Sequence, residues 1–251
     1  MDLLIHVTQD SDVFNLSTSP DSYYPSSVRL GLREANKPPY LLHAISLFNA
    51  TWTAVDESNC VAALLFSSVL GPHILAETLC RRHPGGLDAF IEHYVQCINM
   101  HRGIFVIANS AGPLLMQSEL EPLLSMSRAF TSREPVGKEC HSLHHLIDRS
   151  PDLSEEEKVA TRAAIKYLQR GFDARDGEMD SRQSQHQMIY NWAMLVPPKF
   201  TALLESKRPE ALVVMAYDAV LLHRGKDLWQ VGEAGGYIFE LIWNYLGPVW
   251  E

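Results

Sequence analysis

Apolar positions along this chain recur mostly at spacings of three and four, the period of a helix with a buried face. The stretch "YLLHAISLFNATWTAV" from Tyr40 places Leu41, Leu42, Ile45, Leu47, Phe48 and Trp52 on one broad face. "ESNCVAALLFSSVLGPHILAETLCRR" is apolar nearly all round. It predicts a central buried helix with Asp56 as N-cap and a kink at Pro72. "Pro84-Gly85-Gly86" breaks the pattern, and "LDAFIEHYVQCINMHRGIFVIAN" resumes it with Gly103 inside. "SAGPLL" interrupts again, and "SELEPLL" reads as a short helical turn. "GKECHSLHHLIDRS" predicts a helix with Leu143, Leu146 and Ile147 inward.

Ser154 and Glu157 have the spacing of a capping box, in which the serine accepts a free backbone N–H and the glutamate reaches back. The helix they open has an acidic first turn and basic residues later, as the helix dipole favours. "DARDGEMDSRQS" reads as a charged break, and "HQMIYNWAMLV" as a helix stopping at Pro197-Pro198. "KFTALLESKR", then "PEALVVMAYDAVLLHR" with Pro209 in its first turn, then "GGYIFELIWNYLGPVW" complete the series. The N-terminal "MDLLIHVTQ" and "SVRLGLREAN" read as short helices around a polar loop. No strand-type alternation competes. The expectation is all-α: one domain over residues 1–251, about ten antiparallel helices around an apolar centre.

Composition narrows the function. Hydrophobic residues are 46% of the 251, ample for a core, and the net charge is -9. No basic block exceeds Arg81-Arg82, which argues against direct nucleic-acid contact. No apolar run is long enough for a membrane span, and the N-terminus lacks a signal-peptide pattern. The four cysteines (Cys60, Cys80, Cys97, Cys140) form no CxxC pair and read as buried free thiols of an intracellular protein.

Candidate chemistry is sparse. "CHSLHH" puts His141 on one helical face with His144 or His145, two ligands where a structural zinc needs four. The acids Asp173, Asp176, Glu178 and Asp180 lack the run of consecutive acids that chelates magnesium with a diphosphate, and read as a solvated loop. No metal and no cofactor is expected. No nucleophile elbow, HExxH or kinase set is present. Asp218 and His223 are the groups that acid–base work would use if the domain were a cyclase-like natural-product enzyme.

The densest puzzle is "DLWQVGEAGGYIFELI". Its glycines, Gly232, Gly235 and Gly236, lack the lysine of a P-loop and the strand and spacing of a dinucleotide fingerprint. Two readings stay open: a helix junction, or a junction that also lines a ligand cavity. Gly235 and Gly236 are expected to turn the chain into the last helix through positive φ. The surplus of large side chains (Phe48, Phe66, Phe105, Met215, Tyr217, Trp229, Tyr237, Phe239) suits a plain core or a lipid-like ligand.

The stretch "FTALLESKRPEALVVMAYDAVLLHRGKDLWQVGEAGGYIFELI" resembles the regulatory domain of fungal zinc-cluster transcription factors, the sterol uptake control group. "YLLHAISLFNATW", "ESNCVAALLFSSVLGPHILAE" and "MHRGIFVIANSAGPLL" resemble further parts of that domain, so the likeness runs nearly the whole length. It implies an all-helical domain whose pocket takes a sterol-like hydrophobic molecule and whose occupancy controls activation. It implies nuclear residence if the domain belongs to a transcription regulator, and cytoplasmic residence otherwise. Trp229 and Gly232 match the tryptophan and glycine before the last helix; Met215 and Tyr217 fall on the helix before them. With Gly235, Gly236, Phe105 and Phe66 they make up the expected ligand-binding set. The six-cysteine DNA-binding cluster of that family has no counterpart here, which leaves open an excised regulatory domain or a protein without the cluster. A homodimer or a coregulator is the remaining partner class.

Overall fold

In the computed structural model, residues 56–176, 192, 193, 195–228 and 230–247 are described. Nine helices have defined bounds among them: α1 (Cys60–Cys80), α2 (Gly86–Ser110), α3 (Gly112–Leu115), α4 (Glu121–Ser132), α5 (His141–Arg149), α6 (Glu155–Asp176), α7 (Pro198–Glu205), α8 (Pro209–Arg224) and α9 (Ala234–Leu246). The described residues contain no strand, and they build one all-α domain. The helices expected before Asp56, most of the "HQMIYNWAMLV" helix, and the acids Glu178 and Asp180 lie outside the described residues.

Local chemistry explains several boundaries. Ser154 and Glu157 form the expected capping box: Ser154 N–H donates to Glu157 Oε2 (2.9 Å), and Glu157 N–H donates to Ser154 Oγ (3.3 Å). The first turn of α6 carries Glu155, Glu156 and Glu157 at the positive end of the helix dipole. Pro209 opens α8, where its missing N–H costs nothing. After α7, Lys207 takes a left-handed φ of 52°. Its N–H donates to Leu204 O and that of Arg208 to Leu203 O, which uses up orphan carbonyls before α8 begins.

Several expectations are corrected. Asp56 does not cap α1. Its carboxylate accepts the N–H and hydroxyl of Ser58 in the preceding turn, and the helix starts at Cys60. "SELEPLL" is not a lone turn but the start of twelve-residue α4, because Pro122 sits in the first turn, where proline is tolerated. Asp173 and Asp176 belong to α6 rather than to a break. Asp173 accepts the backbone N–H groups of Val136 (2.7 Å) and Gly137 (2.9 Å) and so pins the α4–α5 loop. Of the cysteines, Cys60, Cys97 and Cys140 are buried free thiols, but Cys80, at the last residue of α1, is exposed.

Two apolar clusters hold the helices. The smaller joins Cys60, Leu64 and Leu65 of α1 to Ala111, Leu115 and Leu120. The larger draws on the second half of α1 and on α2 and α5–α9; Phe90, Ile98, Ile165, Leu168, Phe200 and Leu212 are each fully buried. Each such side chain contributes about 1.5–3 kcal/mol relative to exposure. Trp192 is buried beside Phe200, and its indole N–H donates to Ala164 O (3.1 Å).

Candidate ligand cleft

Helix α8 is apolar on two faces, which is why it shows no single polar stripe. Leu212, Val214, Met215, Ala219, Leu221 and Leu222 enter the core. Val213, Ala216, Tyr217 and Val220 lie three to four residues apart on the other side and are half-buried. Helix α9 repeats the arrangement: Ile238 and Ile242 are buried, whereas Phe239 and Trp243 are 42% and 49% exposed. The two outer faces, with Phe172 of α6, bound a cleft of about 410 Å³.

The apolar walls are Val213, Ala216, Val220, Phe239, Ile242, Trp243 and Leu246, with Gly247 beside them. Phe239 and Trp243, one turn apart, stack with centroids 6.2 Å apart and planes 19° from parallel. Three polar groups interrupt this surface. The Tyr217 hydroxyl is 2.7 Å from Ser142 Oγ on α5. The Arg224 guanidinium lies over the Phe172 ring, 5.1 Å from its centroid. Glu139 Oε2 accepts a hydrogen bond from Gln169 Nε2 (2.5 Å), and this bond holds the Glu139 carboxyl below its ordinary pKa. The cleft lining therefore carries one cation, one anion and one hydroxyl on an otherwise apolar surface.

The three glycines differ in what they do. Gly232 has φ 49°, the left-handed conformation, and turns the chain between α8 and α9. Gly235 has no positive φ; it is needed for close approach. A Cβ there would lie 2.7 Å from His223 Cα and 2.5 Å from Ala219 O, so α9 rests directly on the backbone of α8. Gly236 is exposed, has no positive φ, and a Cβ there would meet nothing within 4 Å. The expectation that Gly235 and Gly236 make the turn through positive φ is thus corrected: Gly232 alone of the three has it.

Of the residues expected to bind a ligand, Tyr217 lines the cleft. Met215 is fully buried on the core side of α8. Gly232, Gly235 and Gly236 lie at the α8–α9 junction and outside the cleft lining, and Phe66 is half-buried on α1. Trp229 and the Phe105 side chain lie outside the described residues. The pattern in "VVMAYDAV" contains the cleft wall, at positions 213, 216, 217 and 220. Choosing it over the Met215 face requires knowing which side of α8 meets the core.

The acid–base candidates do not meet at the cleft. His223 is exposed at the end of α8. Asp218 points inward, 3% exposed, and accepts a hydrogen bond from the Tyr94 hydroxyl (3.2 Å). Burial raises its pKa to about 7, with the Tyr94 bond acting in the opposite direction. His141 and His145 are exposed and stack at 5.2 Å. Among the described residues no group of three or more His, Cys, Asp and Glu converges as a metal site. No helix among them is long and apolar enough to cross a membrane. No family model, curated protein or solved structure matches the chain.

Proposed function

We propose that this chain is an effector-sensing regulatory domain of a transcription regulator of the fungal zinc-cluster type, and that its effector is a hydrophobic small molecule such as a sterol. The observation that carries the reading is the α8–α9 cleft. Its volume falls in the range of small-molecule sites, about 300–1,000 Å³, and such sites combine apolar walls with a few polar groups that fix orientation. The apolar side chains of Val213, Val220, Trp243 and Leu246 suit an apolar body. A single ligand hydroxyl would find the Tyr217 hydroxyl, itself paired with Ser142. The charges of Arg224 and Glu139 balance, which favours an uncharged ligand. Sensing requires that the ligand bind one state of the domain better than another.

The test is binding of ergosterol and a panel of neutral sterol-sized molecules, read as a shift in melting temperature. A ligand at a hundredfold excess over its Kd adds about 2.7 kcal/mol of stability. The wild type is expected to shift, and Val220→Trp, which fills the cleft from α8, to lose the shift while keeping its own fold. A flat response across the panel, or an unchanged response in Val220→Trp, would remove the proposal.

A further inference from the structure

Asp218 and Tyr217 are neighbours on α8 with opposite surroundings. Tyr217 faces the cleft, and Asp218 is buried against α2 with the Tyr94 hydroxyl as its hydrogen-bond donor. Tyr94 continues a ring stack with Phe90 (5.5 Å), and Phe90 meets Tyr237 of α9 edge-on (6.5 Å). The Tyr237 hydroxyl in turn accepts the N–H of His83 (3.0 Å). Because Gly235 seats α9 on the backbone of α8, the two helices form one unit. That unit meets the start of α2 through Asp218 and Tyr237.

We infer that the buried Asp218 carboxyl is a pH-responsive latch: neutral, it lets α8 and α9 pack against α2 around Tyr94; ionised, it keeps the Tyr94 hydrogen bond but leaves an uncompensated charge between the helices, which loosens the α8–α9 pair, and hence the cleft walls, from α2. The latch stands on the burial and pairing of Asp218. Only its consequence for ligand binding rests on the function proposed above.

The surroundings offer an ionised Asp218 little compensation. From α2 it meets the neutral phenol of Tyr94, and beside that phenol is the Cys97 thiol, which burial pushes up to about 12. The groups of the other helices packed on α8 are engaged elsewhere. On α9, Tyr237 bonds His83, and Glu240 and Tyr245 are exposed. On α6, the cations Lys166 and Arg170 bond Glu134 and Arg133 O. On α7, Lys199 pairs with Glu156, and Glu205 is exposed. On α5, Asp148 pairs with Arg162, and His144 lies near Asp148. On α8 itself, Glu210 bonds Ser150, two turns away, and His223 and Arg224 are exposed. A charge created at Asp218 is therefore buried without a cation, and the structure relieves it by opening toward water.

Ligand-free protein provides the test, so a failure of sterol binding leaves it intact. The Asp218 carboxyl is titrated by carbon-13 NMR, and amide-exchange protection of α8 and α9 is compared with that of α6 at pH 6 and pH 8.5. Asp218 is expected to titrate near neutrality. Protection of α8 and α9 should fall about tenfold or more across this interval relative to α6. In Asp218→Asn the fall should vanish. A carboxyl titrating near 4, constant protection in the wild type, or the same fall in Asp218→Asn overturns the latch. Should Asp218→Asn not fold, Tyr94→Phe decides. Removing the donor to the carboxylate must move the midpoint to higher pH, and an unmoved midpoint overturns the latch.

Discussion

Gly235 lies against His223 so closely that a Cβ on the glycine would come 2.7 Å from the histidine Cα. The contact is backbone on backbone, so no side-chain rotation can relieve it. Gly235→Ala is expected to separate α9 from α8 and to destabilise the domain by about 1–3 kcal/mol, the usual cost of forcing extra atoms into a packed contact. Gly236→Ala, one residue on and in open space, is expected to be neutral or stabilising by up to about 1 kcal/mol, since alanine is the better helix former. Gly232→Ala meets no atoms but must hold φ at 49°, at a cost of roughly 1–2 kcal/mol. Urea denaturation of the three variants orders them. Equal stability of Gly235→Ala and Gly236→Ala would contradict the packing described.

The buried carboxyl sets the pH dependence of stability. Asp218 has a folded-state pKa of about 7 against an ordinary aspartate value of 3.8, so between these values the folded protein holds a proton that the unfolded chain has released. Stability from this group is complete below pH 3.8 and is lost as pH rises through 7. The exposed carboxylates Asp148, Glu134 and Glu157, held low by hydrogen bonds from Arg162, Lys166 and Ser154, act in the opposite sense: their contribution is present above the ordinary carboxylate pKa and lost in acid. The urea midpoint is therefore expected to peak in mildly acidic solution and to decline from about pH 5 to about pH 8. Asp218→Asn should remove most of that decline. A midpoint that rises over this interval would show that Asp218 is not the dominant buried acid.

The all-α class was legible from the apolar period alone, because each helix must bury a face and that requirement is written every three to four residues. The capping box at Ser154 and Glu157 was legible because its chemistry is local. The cleft was not. On α8, Met215 and Tyr217 look equally suited to a ligand, and the packing of α8 on the core decides that one is buried and the other open. In the sequence Asp218 looks like a candidate acid or base on the helix before the glycine segment; the Tyr94 hydroxyl that donates to it comes from a helix position 124 residues earlier in the chain. The glycines show the same limit. Their cluster marks a junction, but the separate causes, a left-handed φ at 232 and a backbone contact at 235, depend on where α8 lies.

The capping box gives a local prediction. Ser154→Ala leaves the N–H of Glu157 without its side-chain acceptor and frees the Glu157 carboxylate from the Ser154 hydroxyl. The expected loss is about 1 kcal/mol, with Ser154→Asp largely retaining the wild-type value because aspartate also caps. Thermal denaturation of the pair checks this. A larger loss in Ser154→Asp than in Ser154→Ala would show that the serine acts through something other than the cap.

The cysteines differ enough in environment for alkylation to separate them. Burial raises the Cys97 thiol to about 12, with a hydrogen bond to Thr78 opposing. Cys140 is also raised to about 12, first by burial and then by the charges of Glu139 and Asp173. At pH 8 roughly one molecule in ten thousand carries either thiolate, and both groups are also closed to reagent. Cys80 is raised too, by partial desolvation, but it is exposed at the end of α1 with Arg82 lowering its pKa. Limiting iodoacetamide at pH 8 is therefore expected to modify Cys80 first, with Cys97 and Cys140 reacting only on unfolding. Peptide mass spectrometry of the native protein reads the order directly. Labelling of Cys97 at the rate of Cys80 would mean that the α1–α2 packing around it opens readily, which would also weaken the case for Tyr94 as a fixed partner of Asp218.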